Sequence, residues 1–445
     1  MHSRDAAWIA AAAGAELVLQ SPPAGAPADP QAPGPSSVVI DSRGDWRTAP
    51  GDARPLFVGI PGARVDGGSF AAEVLLAGAW GVLVRPEHAA AAVEAGYGTV
   101  LTHPDPTVAL GALARGWRRE LGATVVGITG SVGKTSTKDL LAGILATQLR
   151  VVATEANLNT EIGLPLTVLG APEGTQVLVL EMAMRGRGQI AELAAIAEPD
   201  VGVITNIAPV HVELLGSLQA IADTKAELLA GIVPGGTAII PRDEPLLAAH
   251  RPHGVTVVEV GPDDPAPAGL RIAEDVSPTV LRNLPAAVAA ARAVGVEPDG
   301  PVDPRISAMR GQRLHLARDV VVVVDCYNAN PMSMTAALDD LATSAPGRKV
   351  AVLGDMLELG PDELRFHAEL GAHARSAGVE ELVAVGPLSR HTGTGFGRGV
   401  HWVPDAAAAA KLVPTLLEPG DTVLLKASRG IGLERVADAL QGEGA

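Results

Sequence analysis

Aromatic side chains are scarce in this chain: Phe, Trp and Tyr make up 2% of its 445 residues, while hydrophobic residues reach 47%. Any core must therefore be packed from Ala, Val, Leu and Ile. One cysteine, Cys326, excludes an internal disulfide and fits a reducing compartment, where it reads as a small buried hydrophobe. No basic run occurs and the net charge is −16, which argues against nucleic acid or an anionic membrane as the partner. No apolar run reaches the 18 or so residues a spanning helix needs, so no membrane insertion is expected. A secretory leader is not expected either. The small apolar run 6–13 is flanked by Asp5 and Glu16 with no clear boundary after it, and residues 1–19 read as an N-terminal helix of a cytoplasmic protein.

What is present is most specific at Gly127-Ile-Thr-Gly-Ser-Val-Gly-Lys-Thr-Ser-Thr137, between an apolar run (124–128) and a helical pattern reaching about residue 149. Small residues let backbone N–H groups approach a polyphosphate, and the helix N-terminus adds positive potential. Lys134 can reach the terminal phosphates and the Thr135 hydroxyl can hold Mg²⁺. The loop, with Gly130, Ser131, Gly133, Lys134, Thr135 and Ser136, predicts nucleoside triphosphate binding. Ile128 stands where the longer form of this loop has glycine, so the compact Gly130-x-x-Gly133-Lys134-Thr135 form applies.

The length suggests several domains, and the pattern predicts an α/β protein of three. Residues 1–118 contain a Pro/Ala/Gly-rich stretch (21–35) and short strand-like runs at 37–40, 56–60 and 81–84, a small α/β domain. In residues 119–300 apolar strands (177–180, 201–205, 237–240) alternate with helices, a largely parallel sheet around the phosphate loop. Residues 301–445 restart the alternation with strands at 320–324, 350–353, 382–385 and 422–425, a Rossmann-like doubly wound domain.

Chemistry gathers at strand ends of the central region, where open parallel sheets place ligands. Glu181 closes an apolar strand, where it reads either as a partner for Thr135 on Mg²⁺ or as an exposed strand-end carboxylate. Asn206 ends the next strand and His211 follows, a metal or phosphate contact or a structural hydrogen bonder. Lys225 falls beside the apolar stripe of a helix at 217–229. Such a lysine either snorkels to solvent or loses its charge readily, which suits chemistry at its nitrogen.

Taken in order, Asp41-Ser-Arg43, Asp66-Gly67, the 130–135 loop, Asn157-Leu-Asn-Thr-Glu-Ile-Gly163, Glu181-Met182, Thr205-Asn206 to His211, Lys225-Ala-Glu227, Asp325-Cys-Tyr-Asn-Ala-Asn-Pro331, Gly354-Asp-Met-Leu-Glu-Leu-Gly360 and Lys426-Ala-Ser-Arg429 resemble the Mur ligase family over nearly the whole chain. The Tyr-Asn-Ala-Asn-Pro and Gly-Asp-Met-Leu-Glu-Leu-Gly segments resemble the branch that adds D-alanyl-D-alanine to UDP-N-acetylmuramoyl-tripeptide. The resemblance implies ATP-driven amide formation in peptidoglycan precursor synthesis through an acyl phosphate, with ATP, two Mg²⁺ and a CO₂-derived carbamate on Lys225, in a monomer.

By the same resemblance Thr135, Glu181, His211 and Lys225 hold metal, and Lys134 and Arg313 hold phosphates. Asn283 places adenine and Asp325 binds the ribose. Ser42 and Arg43 bind the uridine nucleotide in the first domain. Asn159, Asn328, Asn330 and Ser333 lie near the peptide substrates, the last three in the dipeptide-binding third domain, with Lys426 or Arg429 as cations for the acceptor carboxylate. Three places depart from the family pattern: Ala183 replaces a glycine, Gly68 replaces a histidine, and the 279–287 segment keeps only the second Asn, Asn283, of the expected motif. The stretch 251–282 also looks short, as though a strand hairpin were missing. A different ATP-dependent amide ligase, such as a folylpolyglutamate synthase, and a nucleotide-binding module with reduced turnover are the alternatives. The residue set disfavours both.

Overall fold

The computed structural model describes residues 4–24, 34–44, 54–209, 215–273 and 276–442, and among them three main sheets are each flanked by helices while a fourth has two strands. The first sheet has five strands in the order Glu16–Gln20, Thr99–Thr102, Gly81–Val84, Leu56–Val58, Val38–Val39, parallel except for the first. The N-terminal segment corrects the expectation of one helix over 1–19. Asp5 caps a helix at Ala6–Ala13, Gly14 ends it in the left-handed region at φ 63°, and the chain turns into the edge strand Glu16–Gln20. Its residues alternate between exposed and half-buried, so its apolar signal is weak.

The central sheet has six parallel strands in the order Thr256–Val260, Thr237–Pro241, Val201–Ile204, Thr124–Thr129, Val177–Glu181, Val151–Ala153. Its middle strands are buried along their length, as parallel strands covered on both faces must be. The 251–282 stretch contributes the edge strand Thr256–Val260 and a short strand Leu270–Ile272, which pairs with Gly300–Val302 in a separate two-stranded parallel sheet.

The third sheet runs Gln312–His315, Val321–Val324, Thr422–Lys426, Lys349–Gly354, Glu381–Val385, Val400–Val403, parallel except for the first strand. Its core is split between the two sheet faces. The first two domains, by contrast, share one core. Helix Pro106–Leu121 packs Leu110, Leu113 and Trp117 among Ile9, Leu56 and Leu83 of the first domain and Leu178, Ile190 and Leu193 of the second. The Trp117 indole N–H donates to the Ala171 carbonyl at 3.0 Å. Among the described residues no helix is long and apolar enough to cross a membrane.

Candidate active site

Four residues, 130–133, join strand Thr124–Thr129 to helix Lys134–Ala146. Gly133 has φ 85°, a conformation that side chains rarely adopt, and a Cβ on Gly130 would stand 1.9 Å from Thr205 Oγ1. Both glycines are thus required by the local path. The loop is braced from the neighbouring strand end: Val132 N–H donates to Asn206 Oδ1 and Asn206 Nδ2 donates to the Val132 carbonyl, both at 2.9 Å. Ser131 Oγ donates to the Ala208 carbonyl (3.0 Å) and accepts its N–H (2.9 Å).

Lys134 Nζ donates to the Gly130 carbonyl at 2.9 Å. Burial lowers the affinity of this amine for its proton; the Glu181 carboxylate opposes that shift and the Arg310 charge adds to it. The Thr135 hydroxyl donates to Glu181 Oε2 at 2.8 Å, and Asn159 Nδ2 donates to Glu181 Oε1 at 2.8 Å. Glu181 is buried at its strand end with its backbone N–H on Thr154 Oγ1 (2.9 Å). Two oxygen ligands, one from the first turn of the helix and one from the end of the strand beside the loop, thus meet beneath the phosphate loop, a set that suits a hard divalent cation.

Lys225 lies on helix Leu218–Ala230, capped by Ser217, and is 2% exposed. It has no hydrogen-bond or ion-pair partner among the described residues. Burial holds its ammonium well below the ordinary lysine range, and the charge of Lys134 pushes in the same direction. Its helix is pinned by Glu227, whose carboxylate accepts the N–H groups of Gly188 (2.8 Å) and Ala191 (3.0 Å) at the start of helix Gln189–Ala197. This role of Glu227 was not read from the sequence, although the Lys-Ala-Glu spacing marks it. His211 lies outside the described residues.

A cavity of 390 Å³ opens between the phosphate loop, residues 277–286 and helix Pro331–Ser344 of the third domain. Lys134, Thr135, Ser136, Asn283, Asp325 and Asn328 line its polar side, and Val260, Pro262, Val280, Ala337 and Leu341 its apolar walls. Asn283 sits directly over the loop, since a Cβ on Gly133 would stand 2.1 Å from Asn283 Oδ1.

The third domain alters several expectations. Arg313 does not line the cavity: its guanidinium donates to Ser344 Oγ at 3.2 Å from strand Gln312–His315. Arg310 takes the place in the cavity. It lies ahead of the strand, before the turn at Gly311 (φ 79°), and its guanidinium stacks 4.0 Å over the Tyr327 ring. Lys426 is no free cation for an acceptor carboxylate, because it is 2% exposed and its Nζ lies 2.6 Å from Asp325 Oδ2. Arg429 pairs with Glu434 at 2.9 Å. Asn330 and Ser333 line the cavity but also form a capping box on helix Pro331–Ser344, with Ser333 N–H on Asn330 Oδ1 (2.9 Å) and Asn330 N–H on Ser333 Oγ (3.1 Å). Asn328 Oδ1 accepts the Ala329 N–H.

In the first domain Arg43 is exposed and held by Asp41, Nε to Oδ1 at 3.0 Å, while its hydrogen bonds hold the Asp41 carboxyl down to about 2. Ser42 lies in the same turn, and neither it nor Arg43 lines the cavity. At Gly68 the space for a side chain is taken: a Cβ there would stand 2.3 Å from Cδ2 of His88. The imidazole of His88 therefore occupies the neighbourhood in which a residue-68 histidine would begin.

Residues 128–282 match the Mur ligase middle domain, and residues 309–429 match the domain described as Mur ligase, glutamate ligase domain. The UDP-N-acetylmuramoyl-tripeptide–D-alanyl-D-alanine ligase of Synechocystis is 37% identical over 412 residues, covering 87% of this chain and 89% of that protein. Among solved structures, MurF from Acinetobacter baumannii superposes with a TM-score of 0.81 at 25% identity, covering 98% of each chain. MurF ligase from Thermotoga maritima, solved in complex with ADP, gives 0.77 at 28% identity over 92% of this chain and 97% of that one.

Proposed function

The chain belongs to the Mur ligase family, and we propose that it is the ATP-dependent ligase joining D-alanyl-D-alanine to UDP-N-acetylmuramoyl-tripeptide in the cytoplasm. The observation that carries the reading is the cavity between the second and third domains, with the phosphate loop on one wall and Arg310, Asp325 and Asn328 on the other. A carboxylate at neutral pH is a poor electrophile. Transfer of the γ-phosphoryl group makes its oxygen a leaving group: the carboxylate O–P bond forms as the β–γ bridge breaks. The acceptor amine then forms the C–N bond, loses its proton, and phosphate departs. Charge develops in both transfers, so cations and N–H donors around the reacting oxygens carry most of the catalysis.

Lys134 and the loop N–H groups are assigned to the phosphates, with Arg310 approaching from the third domain. Thr135 and Glu181 would hold Mg²⁺, which supplies charge neutralisation on the phosphates, and Asn159 keeps the Glu181 carboxylate turned toward that place. Asn283 is assigned to adenine and Asp325 to the ribose. Burial favours the neutral amine of Lys225, the form that adds to CO₂ with loss of a proton. The resulting carbamate is an anion with two oxygen donors, suited with His211 to a second Mg²⁺. Residues 1–118 would hold the UDP-sugar through Ser42 and Arg43, residues 119–300 the ATP, and residues 301–445 the dipeptide near Asn328, Asn330 and Ser333. The protein is taken to act as a monomer.

Phosphate release measured with UDP-N-acetylmuramoyl-tripeptide and a panel of acceptors tests the assignment. D-Ala-D-Ala should be used and single D-Ala should fail, because a site that pairs with a peptide amide is left with unsatisfied polar groups by a lone amino acid. Equal kcat/KM for D-Ala and D-Ala-D-Ala would move the chain to another branch of the family.

A further inference from the structure

Residues 303–309 carry the chain from the second domain to the third. Ile306 packs against the core of the central sheet and Met309 against the core of the third, so the crossover falls at Ser307 and Ala308. Ser307 is held on three sides. Its N–H donates to Asp139 Oδ2 (2.8 Å), its hydroxyl donates to Asp139 Oδ1 (3.1 Å), and it accepts from Lys138 Nζ at 3.3 Å. Lys138 and Asp139 are buried, pair at 2.9 Å, and belong to the helix Lys134–Ala146 that starts at the phosphate loop.

The network reaches further. Lys138 Nζ donates to the Thr154 carbonyl at 2.7 Å, and Thr154 Oγ1 accepts the backbone N–H of Glu181. One turn on, the crossover lies hard against the same helix: a Cβ on Gly143 would stand 2.9 Å from Pro304 Cα. On the other side of Ser307, three residues later, Arg310 enters the cavity and contributes to lowering the proton affinity of Lys134.

We propose that Lys138, Asp139 and Ser307 form a fixed latch that registers the interdomain crossover against the phosphate-loop helix, and that they are positioning residues for Arg310. The inference rests on the nucleotide reading of the cavity but not on the identity of the acceptor. Burying an ion pair carries a desolvation penalty that attraction between the partners only offsets when further hydrogen bonds satisfy them. Here those bonds go to the segment that carries the chain from the second domain to the third. A latch at this point leaves the third domain free to rotate about Ala308 and Met309, the latter already at φ 60°, while the base of the crossover keeps its register. Arg310 then swings on a short arm of known origin rather than on a loose linker.

A double-mutant cycle tests this, read as the affinity for a fluorescent ATP analogue, with KM for UDP-tripeptide as the comparison. The latch is removed with Lys138→Met/Asp139→Leu, which exchanges the buried pair for apolar side chains of similar size, and circular dichroism confirms folding. Arg310→Ala should weaken nucleotide binding about tenfold in the parent and less than about threefold in the latch-free protein, a coupling of ordinary size for residues in one network. Ser307→Ala should give part of the same coupling loss, and Ser307→Thr, which keeps the hydroxyl, should restore it. KM for UDP-tripeptide should stay within about twofold, because the latch touches only the nucleotide side. If the latch-free double variant does not fold, Ser307→Ala alone runs the cycle. The same Arg310→Ala factor in parent and latch-free backgrounds would overturn the latch. Nucleotide affinity needs no acceptor, so failure of ligation with the coupling intact would refute the ligase assignment and leave the latch standing.

Discussion

The two seams of this molecule are built in opposite ways. Between the first and second domains the seam is apolar and continuous, with Trp117 fully enclosed beside side chains of both domains. Between the second and third it is a cavity lined by Lys134, Arg310, Asp325 and Asn283, joined at its base by the Ser307 latch. An apolar seam stabilises by removing surface from water and has one good arrangement. A polar, hollow seam leaves charges to be satisfied by what enters it, and it can close around a ligand. The first seam therefore makes two domains into one body, and the second is where the proposed chemistry is assigned.

The largest effect that would break this contrast is at Lys134. Lys134→Ala should lower turnover by on the order of a thousandfold or more, since it removes a cation from the transferred phosphoryl group, while thermal stability stays near the parent value. Near-normal phosphate release by the folded variant would detach the phosphate loop from the reaction.

Next comes Lys225. Its proton affinity in the folded protein lies well below the ordinary value, so between that depressed value and about 10.4 the unfolded chain binds a proton that the native one does not. The sign is fixed: the stability of the parent should fall as pH drops from about 10.4 toward the depressed pKa. Lys225→Met removes that slope. In CO₂-free buffer it should melt higher than the parent near neutral pH, yet lose turnover. A variant that melts lower, with the pH slope unchanged, would mean that Lys225 is charged and partnered.

At the first seam, Trp117→Ala should cost about 3–5 kcal/mol of stability, the range for emptying a large aromatic site. The folded fraction should keep its kcat/KM, because no reacting group lies on this side. Denaturant titration and kinetics on the same sample separate the two. Smallest is Asn330→Ala, which removes one half of a capping box and should cost about 1 kcal/mol. A larger effect on the KM for D-Ala-D-Ala than on melting would make Asn330 a substrate ligand as well as a cap.

The parts of this architecture legible in the sequence are those encoded locally. Buried parallel strands such as Val177–Glu181 and Val201–Ile204 are unbroken apolar runs whose ends announce Glu181 and Asn206. The phosphate loop needs glycine at 130 and 133 for reasons of space and backbone angle, and those residues stand together in the chain. Edge strands are harder to see, as Glu16–Gln20 shows: three of its five residues face water and its apolar signal merges with the helix before it. Arg313 was the arginine expected at the phosphates, and Arg310 went unread because the turn at Gly311, which separates it from the strand and leaves it in the cavity, is marked by no periodicity. The latch was invisible because Asp139 and Ser307 lie 168 positions apart and carry no motif. Likewise Lys426 read as a free cation until its partner Asp325, just past the end of the adjacent strand, was in place.

Hydrogen–deuterium exchange, followed at both seams in one experiment with and without ATP analogue and UDP-tripeptide, tests the contrast most directly. The account predicts that ligands slow exchange at 130–136 and 308–328, where the second seam closes, and leave helix Pro106–Leu121 unchanged. Unaltered exchange at 130–136 and 308–328 under saturating ligands, or a ligand response centred on the helix that carries Trp117, would contradict it.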